Sequence, residues 1–165
     1  MTVTATPLRV LLVGRGKVAR GLSRGVSSRG TAVARMRALS SVTDADLRWA
    51  QLVLLAVPDA AIRAAAEALA LRAPVALPVL HLSGNRLVSE ASACREHGAL
   101  HPLASFASRQ HPPSMEGVSF ALAGTPRGAY LRSYVFEFIR MFAPTLEKPI
   151  VEQALKSEPG ETSAR

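Results

Sequence analysis

The stretch Leu8-Arg9-Val10-Leu11-Leu12-Val13-Gly14-Arg15-Gly16-Lys17-Val18-Ala19 constrains the fold more than any other part of the chain. Its first six residues form a nearly continuous apolar run, which reads as a buried parallel strand. The run breaks at Gly14. Val18, Leu22 and Val26 then recur at four-residue spacing, placing one apolar stripe on a helix. The turn between strand and helix matches G-x-G-x-x-G/A. Glycine at 14 permits a tight turn, glycine at 16 lets a phosphate approach the backbone, and a small residue at 19 lets the helix pack close to the strand. The helix start offers unpaired N–H groups and a partial positive charge to an anion. Gly14, Arg15, Gly16, Lys17, Val18 and Ala19 are therefore expected to hold the pyrophosphate of a dinucleotide.

Strands and helices alternate along the rest of the chain. Gly30 closes the first helix, and Thr31 to Ala34 reads as a second strand leading to Arg35. Thr43 caps a brief helix from Asp44 to Ala50. Leu52 to Val57 is the clearest strand and stops at Pro58. Asp59 is expected to cap an alanine-rich helix from Ala60 to Arg72. A fourth strand at Val79–Leu82, a helix from Arg86 to His97 and a fifth strand at Ala99–His101 follow. Pro102 to Gly117 lacks period and reads as a loop, and Val118–Ala123 as a sixth strand. Arg127–Phe142 is a helix whose aromatic residues, Tyr130, Tyr134, Phe138 and Phe142 among them, are expected to pack on the sheet, an interface being the alternative. Thr145–Ile150 is expected to add an edge strand. The pattern predicts an α/β fold, a doubly wound, mostly parallel Rossmann-type sheet of about six to seven strands with helices on both faces and ligands at the carboxyl strand ends. Residues 8–150 form this domain, and 151–165 a polar tail expected to be disordered.

The net charge of +8 is unevenly placed, with nine arginines or lysines in residues 1–48 against only Asp44 and Asp46. That concentration points to an anionic partner, a phosphorylated cofactor or a nucleic acid. For Lys17, Arg20 and Arg24 the alternative is a solvated helix face. Trp49 is the only aromatic residue before Phe106, so the charges lack a stacking platform and a nucleic-acid partner is not expected. Cys94 is the single cysteine, which excludes an internal disulfide and a multi-cysteine metal site; no metal is expected. Met1 to Pro7 lacks the basic start and apolar stretch of a secretory signal, and no apolar run approaches the ~18–20 residues of a membrane span. A cytoplasmic location is expected.

About twenty residues beyond such a turn, an NAD site places a carboxylate on the ribose 2′-hydroxyl. Here Ala34-Arg35-Met36-Arg37 occupies that position, with no acid before Asp44. Arginine suits a 2′-phosphate. A charged hydrogen bond of about 1.5–3 kcal/mol corresponds to a roughly ten- to hundredfold preference for NADP(H). Arg35 is the main candidate, Arg15 a second contributor, and Arg37 reads as facing water.

Several motifs in order resemble a family: the turn Gly14–Ala19, Arg35, Leu54-Leu55-Ala56-Val57-Pro58-Asp59, His81-Leu82-Ser83-Gly84, and Gly98-Ala99-Leu100-His101-Pro102-Leu103 through Phe106. They are similar to the Rossmann-like predicted NADP oxidoreductases related to pyrroline-5-carboxylate reductase and the deazaflavin-dependent NADP reductases. Gly117–Gly124 resembles that family's last Rossmann strand, so the likeness spans about residues 8–150. It implies that Ala56, Val57 and Pro58 lie beside the nicotinamide half of the cofactor, with Ser83, Gly84 and His101 at strand ends nearby. His101 is the candidate general acid, with Ser83 beside it, acting on a small carbonyl or imine substrate; the alternative is a loop histidine bonded to backbone. His81 and Cys94 read as core residues. Family members continue into a C-terminal helical domain, which is not expected here. The expectation is therefore either a second wall from another chain, as a homo-oligomer or a separate partner, or NADP(H) binding without turnover.

Overall fold

In the computed structural model, which describes residues 6–108, 110–111, 113–124 and 129–142, the first apolar run is strand β1 (Leu8–Val13). It lies between β2 (Ala32–Arg37) and β3 (Leu52–Leu55). Successive side chains of a strand point to opposite faces, and both faces of β1 are covered. Val10 and Leu12 pack with Leu52, Leu54 and Leu80, whereas Leu11 and Val13 pack with Val53, Leu55 and Val79. Two cores, one on each face, are why β1 and β3 read as unbroken apolar runs.

The sheet continues through β4 (Val79–His81) and β5 (His97–Pro102) to β6 (Phe120–Gly124), in the order β2-β1-β3-β4-β5-β6. All neighbours are parallel except β6, which runs antiparallel to β5. The chain leaves β1 toward β2 and crosses back to β3 on its other side. The carboxyl ends of β1 and β3 thus frame the switch point where such sheets bind ligands. Helices α1 (Lys17–Arg29) and α4 (Ala129–Phe142) cover one face, burying Leu22 and Val26 from the first and Phe138 and Phe142 from the second. Phe120, Phe138 and Phe142 meet at ring-centroid separations of 5.3–5.8 Å, so these rings serve the core. The opposite face carries α2 (Asp44–Trp49) and α3 (Ile62–Ala70).

A helix of six residues is too short to stand by itself. α2 is held by a capping box in which the Thr43 hydroxyl accepts the Asp46 N–H at 3.1 Å and the Asp46 carboxylate accepts the Thr43 N–H at 3.1 Å. Arginines tie it down further. Arg9 Nε–H donates to the Trp49 carbonyl at 2.6 Å, Arg35 and Arg37 both reach Asp46, and Arg72 donates to Asp44 at 2.8 Å. Part of the basic excess of the N-terminal third is therefore internal fastening rather than free surface charge.

Several boundaries differ from the sequence reading. β2 runs on to Arg37, because it pairs with β1 over its whole length. β3 ends at Leu55 and β4 at His81, while β5 is longer than expected. Asp59 does not cap a helix: it is the first residue of a 3-10 turn, Asp59–Ala61, begun directly by Pro58, and α3 starts only at Ile62. The expected helix from Arg86 to His97 is a 3-10 turn at Val88–Ala91 followed by further turns. An amphipathic helix needs an apolar stripe, but here only Ala91 and Cys94 are buried and Leu87 stands 64% exposed. The expected strand Thr145–Ile150 and the tail lie outside the described residues.

His81 and Cys94 are core residues, as expected. The Cys94 thiol is buried, and burial pushes it up to about 11. His81 is fully buried at the end of β4; its Nε2–H donates to the Leu87 carbonyl at 3.0 Å, and its Nδ1 has no partner. Burial lowers its pKa below 6.5, with the Leu87 hydrogen bond and the charges of Asp59 and Glu90 opposing. The unfolded chain thus binds a proton that the folded chain refuses. This contribution to stability is complete above pH 6.5 and is lost as pH falls through the folded-state value. Denaturation at pH 5 and pH 7 should show a smaller pH difference for His81→Gln than for the unchanged chain. Thr43→Ala should cost about 1 kcal/mol by loss of the α2 cap, a drop of about 2–4 °C in Tm.

Candidate cofactor cleft

The turn after β1 is built around a close approach. Gly14 has φ +131°, and a Cβ placed there would overlap the carbonyl oxygen of Ala56 at the end of β3. The Gly14 N–H donates to the Arg37 carbonyl and the Ala56 N–H to the Val13 carbonyl, each at 2.7 Å. The ends of β1, β2 and β3 are thus drawn together at one point. Gly16 is different. It is the N-cap of α1, and a Cβ there would meet nothing within 4 Å. The fold has no internal need for glycine at 16; what its absent side chain leaves is open space in front of the helix. Ala19, fully buried, sits where helix and strand pack.

α1 has no side-chain cap and no acid in its first turn. Its leading N–H groups and dipole face a cleft of about 620 Å³. Gly14 to Val18 form one wall, with Arg15 and Lys17 exposed. Ala56, Val57 and Pro58 form the other, and Leu82, Ser83 and Phe106 close the far end. The turn and the Ala56–Pro58 loop, separate in sequence, therefore face each other across one cleft.

Ser83 also borders a second pocket of about 600 Å³, into which His101 projects. The imidazole Nδ1–H donates to the Leu82 carbonyl at 3.0 Å, leaving Nε2 as the acceptor of the neutral ring. A Cβ on Gly84 would stand 2.8–2.9 Å from Nε2, Cδ2 and Cε1 alike, which puts it over the ring face rather than in its plane. Gly84 thus leaves room for the imidazole to lie flat without blocking the Nε2 lone pair. The Ser83 hydroxyl accepts the Asn85 N–H at 3.1 Å. His97 and Arg86 line the same pocket. A helix over 86–97, as expected from sequence, places neither of them here; in the strand His97–Pro102, His97, Ala99 and His101 alternate onto one face. Phe106, in an aperiodic loop, carries no local sequence signal for its place in the wall of the cleft.

Arg35 and Arg37 share a face of β2 with Asp46 between them. Arg35 Nη1 lies 3.5 Å from Asp46 Oδ1 and Arg37 Nε 3.3 Å from Oδ2. Arg35 is stacked on Trp49, its guanidinium carbon 4.0 Å from the ring centroid. Burial alone would raise the Asp46 pKa, but hydrogen bonds from Thr43 and the charge and hydrogen bond of Arg37 hold it below the usual carboxylate value. Among the described residues, no group of three or more His, Cys, Asp or Glu is placed to hold a metal, and no helix is long and apolar enough to cross a membrane.

No protein-family profile matches the chain. A segment of 32 residues is 53% identical to part of the HTH-type transcriptional regulator CysB of Burkholderia cenocepacia, covering 19% of this chain and 10% of that protein. The broad likenesses are to solved structures. A prephenate dehydrogenase from A. aeolicus, in complex with hydroxyphenyl propionate and NAD+, superposes with a TM-score of 0.70 at 14% identity, over 85% of this chain and 59% of that one. Arogenate dehydrogenase of Synechocystis gives 0.63 at 18% identity, over 79% and 57%. Pyrroline carboxylate reductase of Plasmodium falciparum with NADP bound gives 0.60 at 10% identity, over 82% and 55%. This chain spans rather less than two thirds of each of these proteins. At these identities the likeness is one of fold, and the fold is the Rossmann-like fold of NAD(P)-dependent dehydrogenases and reductases.

Proposed function

We propose that the chain binds NADP(H) in the cleft at the β1–β3 switch point and serves as the cofactor-holding unit of an oxidoreductase acting on a small carbonyl or imine. The observation that carries this reading is the open, uncapped start of α1 behind Gly16, where nothing within 4 Å would oppose a side chain and yet none is present. Gly14, Arg15, Gly16, Lys17 and Val18 would hold the pyrophosphate, with Ala19 allowing the helix its close approach. Arg35 and Arg37, sharing one carboxylate, leave one positive charge for a 2′-phosphate. Ala56, Val57 and Pro58 would flank the nicotinamide, which when bound supplies or accepts hydride. His101 Nε2 would exchange a proton with the substrate oxygen or nitrogen, and Ser83, bordering both pockets, would orient it.

A second reading, binding without turnover, is favoured by the outer side of the His101 pocket. Leu87 is 64% exposed there and Ala121 is also exposed, so this wall does not shield reacting groups from water. A partner chain or a second copy covering that side would restore an enclosed site. NADPH consumption with a panel of small carbonyl and imine compounds separates the readings, since tight binding with no turnover favours the second.

In thermal titration NADPH should stabilise the chain by about 2.7 kcal/mol at a hundredfold excess over its Kd, and NADH at the same concentration should stabilise it less. Equal stabilisation by both would remove the NADP(H) preference. Gly16→Ala should weaken both dinucleotides at least about tenfold while changing the stability of the unliganded chain by no more than about 1 kcal/mol. Where turnover is found, His101→Gln should lower kcat by about 10²–10⁴ with cofactor affinity unchanged.

A further inference from the structure

We infer that the two arginines of β2 divide the work, with Arg37 meeting the cofactor's 2′-phosphate and Arg35 acting as a strut that holds Trp49 and α2 against the sheet. The assignment rests on the reading of the cleft as a dinucleotide site, and it names the residue that sets cofactor preference there. Position is the first argument. Arg37 pairs with Val13 at the last rung of β1 and β2, and its carbonyl accepts the Gly14 N–H, so it stands at the strand end beside the phosphate turn. Arg35 pairs with Leu11, two residues earlier. At about 3.3 Å per residue, that sets it roughly 6–7 Å back from the strand end.

Engagement is the second argument. Arg35 lies over the Trp49 ring, its guanidinium carbon 4.0 Å from the centroid, and is directed at Asp46 Oδ1. Trp49 is itself fastened, because its carbonyl accepts the Arg9 Nε–H at 2.6 Å. Arg35 is therefore one layer of a stack that runs from β2 to the end of α2. Arg37 donates Nε–H to Asp46 Oδ2 and Nη1–H to the Met36 carbonyl, and these two bonds fix the plane of its guanidinium. Its Nη2 has no partner among the described residues; exposure does not separate the two side chains, 41% of Arg37 and 40% of Arg35 being open, so the difference lies in the Trp49 stack on Arg35 and in position along β2. A guanidinium held on one edge and open on the other suits capture of a phosphate. Ser40 and Ser41, both exposed in the turn that follows, bring hydroxyl donors to the same strand end.

Asp46 makes the arrangement work as a positioning residue. Its carboxylate is 4% exposed and accepts from Thr43 and both arginines, so its oxygens are committed within the fold. It does not serve as the ribose-hydroxyl acceptor that an NAD site requires. The acid missing from β2 in the sequence is thus present in space, but turned inward onto the arginines.

The test is titration of the full chain with NADPH and with NADH, for the unchanged protein and for Arg37→Gln, Arg37→Lys and Arg35→Gln. Trp49, the only tryptophan, serves as a fluorescent reporter. Arg37→Gln should weaken NADPH roughly ten- to a hundredfold and change NADH less than about threefold. That unchanged NADH affinity also shows the variant is folded. Arg37→Lys should recover part of the preference, because a lysine still meets a phosphate as a point charge. Arg35→Gln should alter Trp49 emission in the unliganded chain and shift both dinucleotides by similar factors. Loss of NADPH preference in Arg35→Gln with its retention in Arg37→Gln would overturn the assignment and leave the proposed function standing. Failure of the unchanged chain to bind either dinucleotide removes the proposed function, and this assignment with it.

Discussion

Everything at the functional end of the sheet depends on one contact, the approach of Gly14 to the carbonyl of Ala56. The absence of a side chain at Gly14 lets the turn after β1 lie directly against the end of β3. Two short backbone hydrogen bonds lock the approach from either side, one to Arg37 on β2 and one to Val13 on β1. Three strand ends converge there, and α1 leaves from it with its first N–H groups pointed across the gap. Any Cβ at position 14 would push the turn off β3 and open the cleft from its root. Gly16, two residues on, has no such structural duty. The pair therefore separates two demands that a sequence motif merges, one from the fold and one from the space a ligand needs.

The second organising element is electrostatic. A short helix such as α2 contributes little hydrophobic area, with only Leu47 fully buried on it besides Asp46. It is held in place by a carboxylate that caps it and by arginines reaching from β1, β2 and the end of α3. Buried carboxylates are costly unless their lone pairs are satisfied, and Asp46 is satisfied by four donors from three residues. This accounts for part of the crowding of basic residues in this region of the chain. They are partly architecture, and two arginines on one carboxylate leave a surplus of one charge at the strand end nearest the Gly14–Gly16 turn.

Much of this was legible in the sequence, where local chemistry and global fold agree. The run Leu8–Val13, the glycines, the Thr43 cap and the four-residue stripe of α1 each carry a short-range signal that tertiary structure does not override. The failures have a common cause in the third dimension. Arg86 to His97 has helix-compatible residues but no apolar stripe, and its two inward residues, Ala91 and Cys94, suffice only for a turn packed on α3. Asp59 follows a proline that starts its own turn. Asp46 is a helix-capping acid by sequence, and only the fold shows that it also collects Arg35 and Arg37. Which of two arginines on one strand face stands at the open end is set by register with β1, and register between distant segments is not written in either segment alone.

The two pockets meeting at Ser83 give this arrangement its functional logic. One is lined by the exposed Arg15 and Lys17 at the Gly14–Gly16 turn and by Ala56, Val57 and Pro58 opposite, a gradient that suits a ligand charged at one end and flat at the other. The next holds an imidazole whose tautomer is set by a backbone carbonyl, so Nε2 accepts without any other side chain having to orient the ring. With no side chain, Gly84 lets that ring lie against its backbone and leaves the Nε2 edge free. Ser83 lines both pockets, so the cleft at the ends of β1 and β3 opens beside the one that holds the imidazole. Among the described residues, Leu87 and Ala121 stand exposed on the outer side of this pocket. A surface covering β5 and β6 would enclose the half-buried imidazole, and excluding water there is what the proposed chemistry would gain most from.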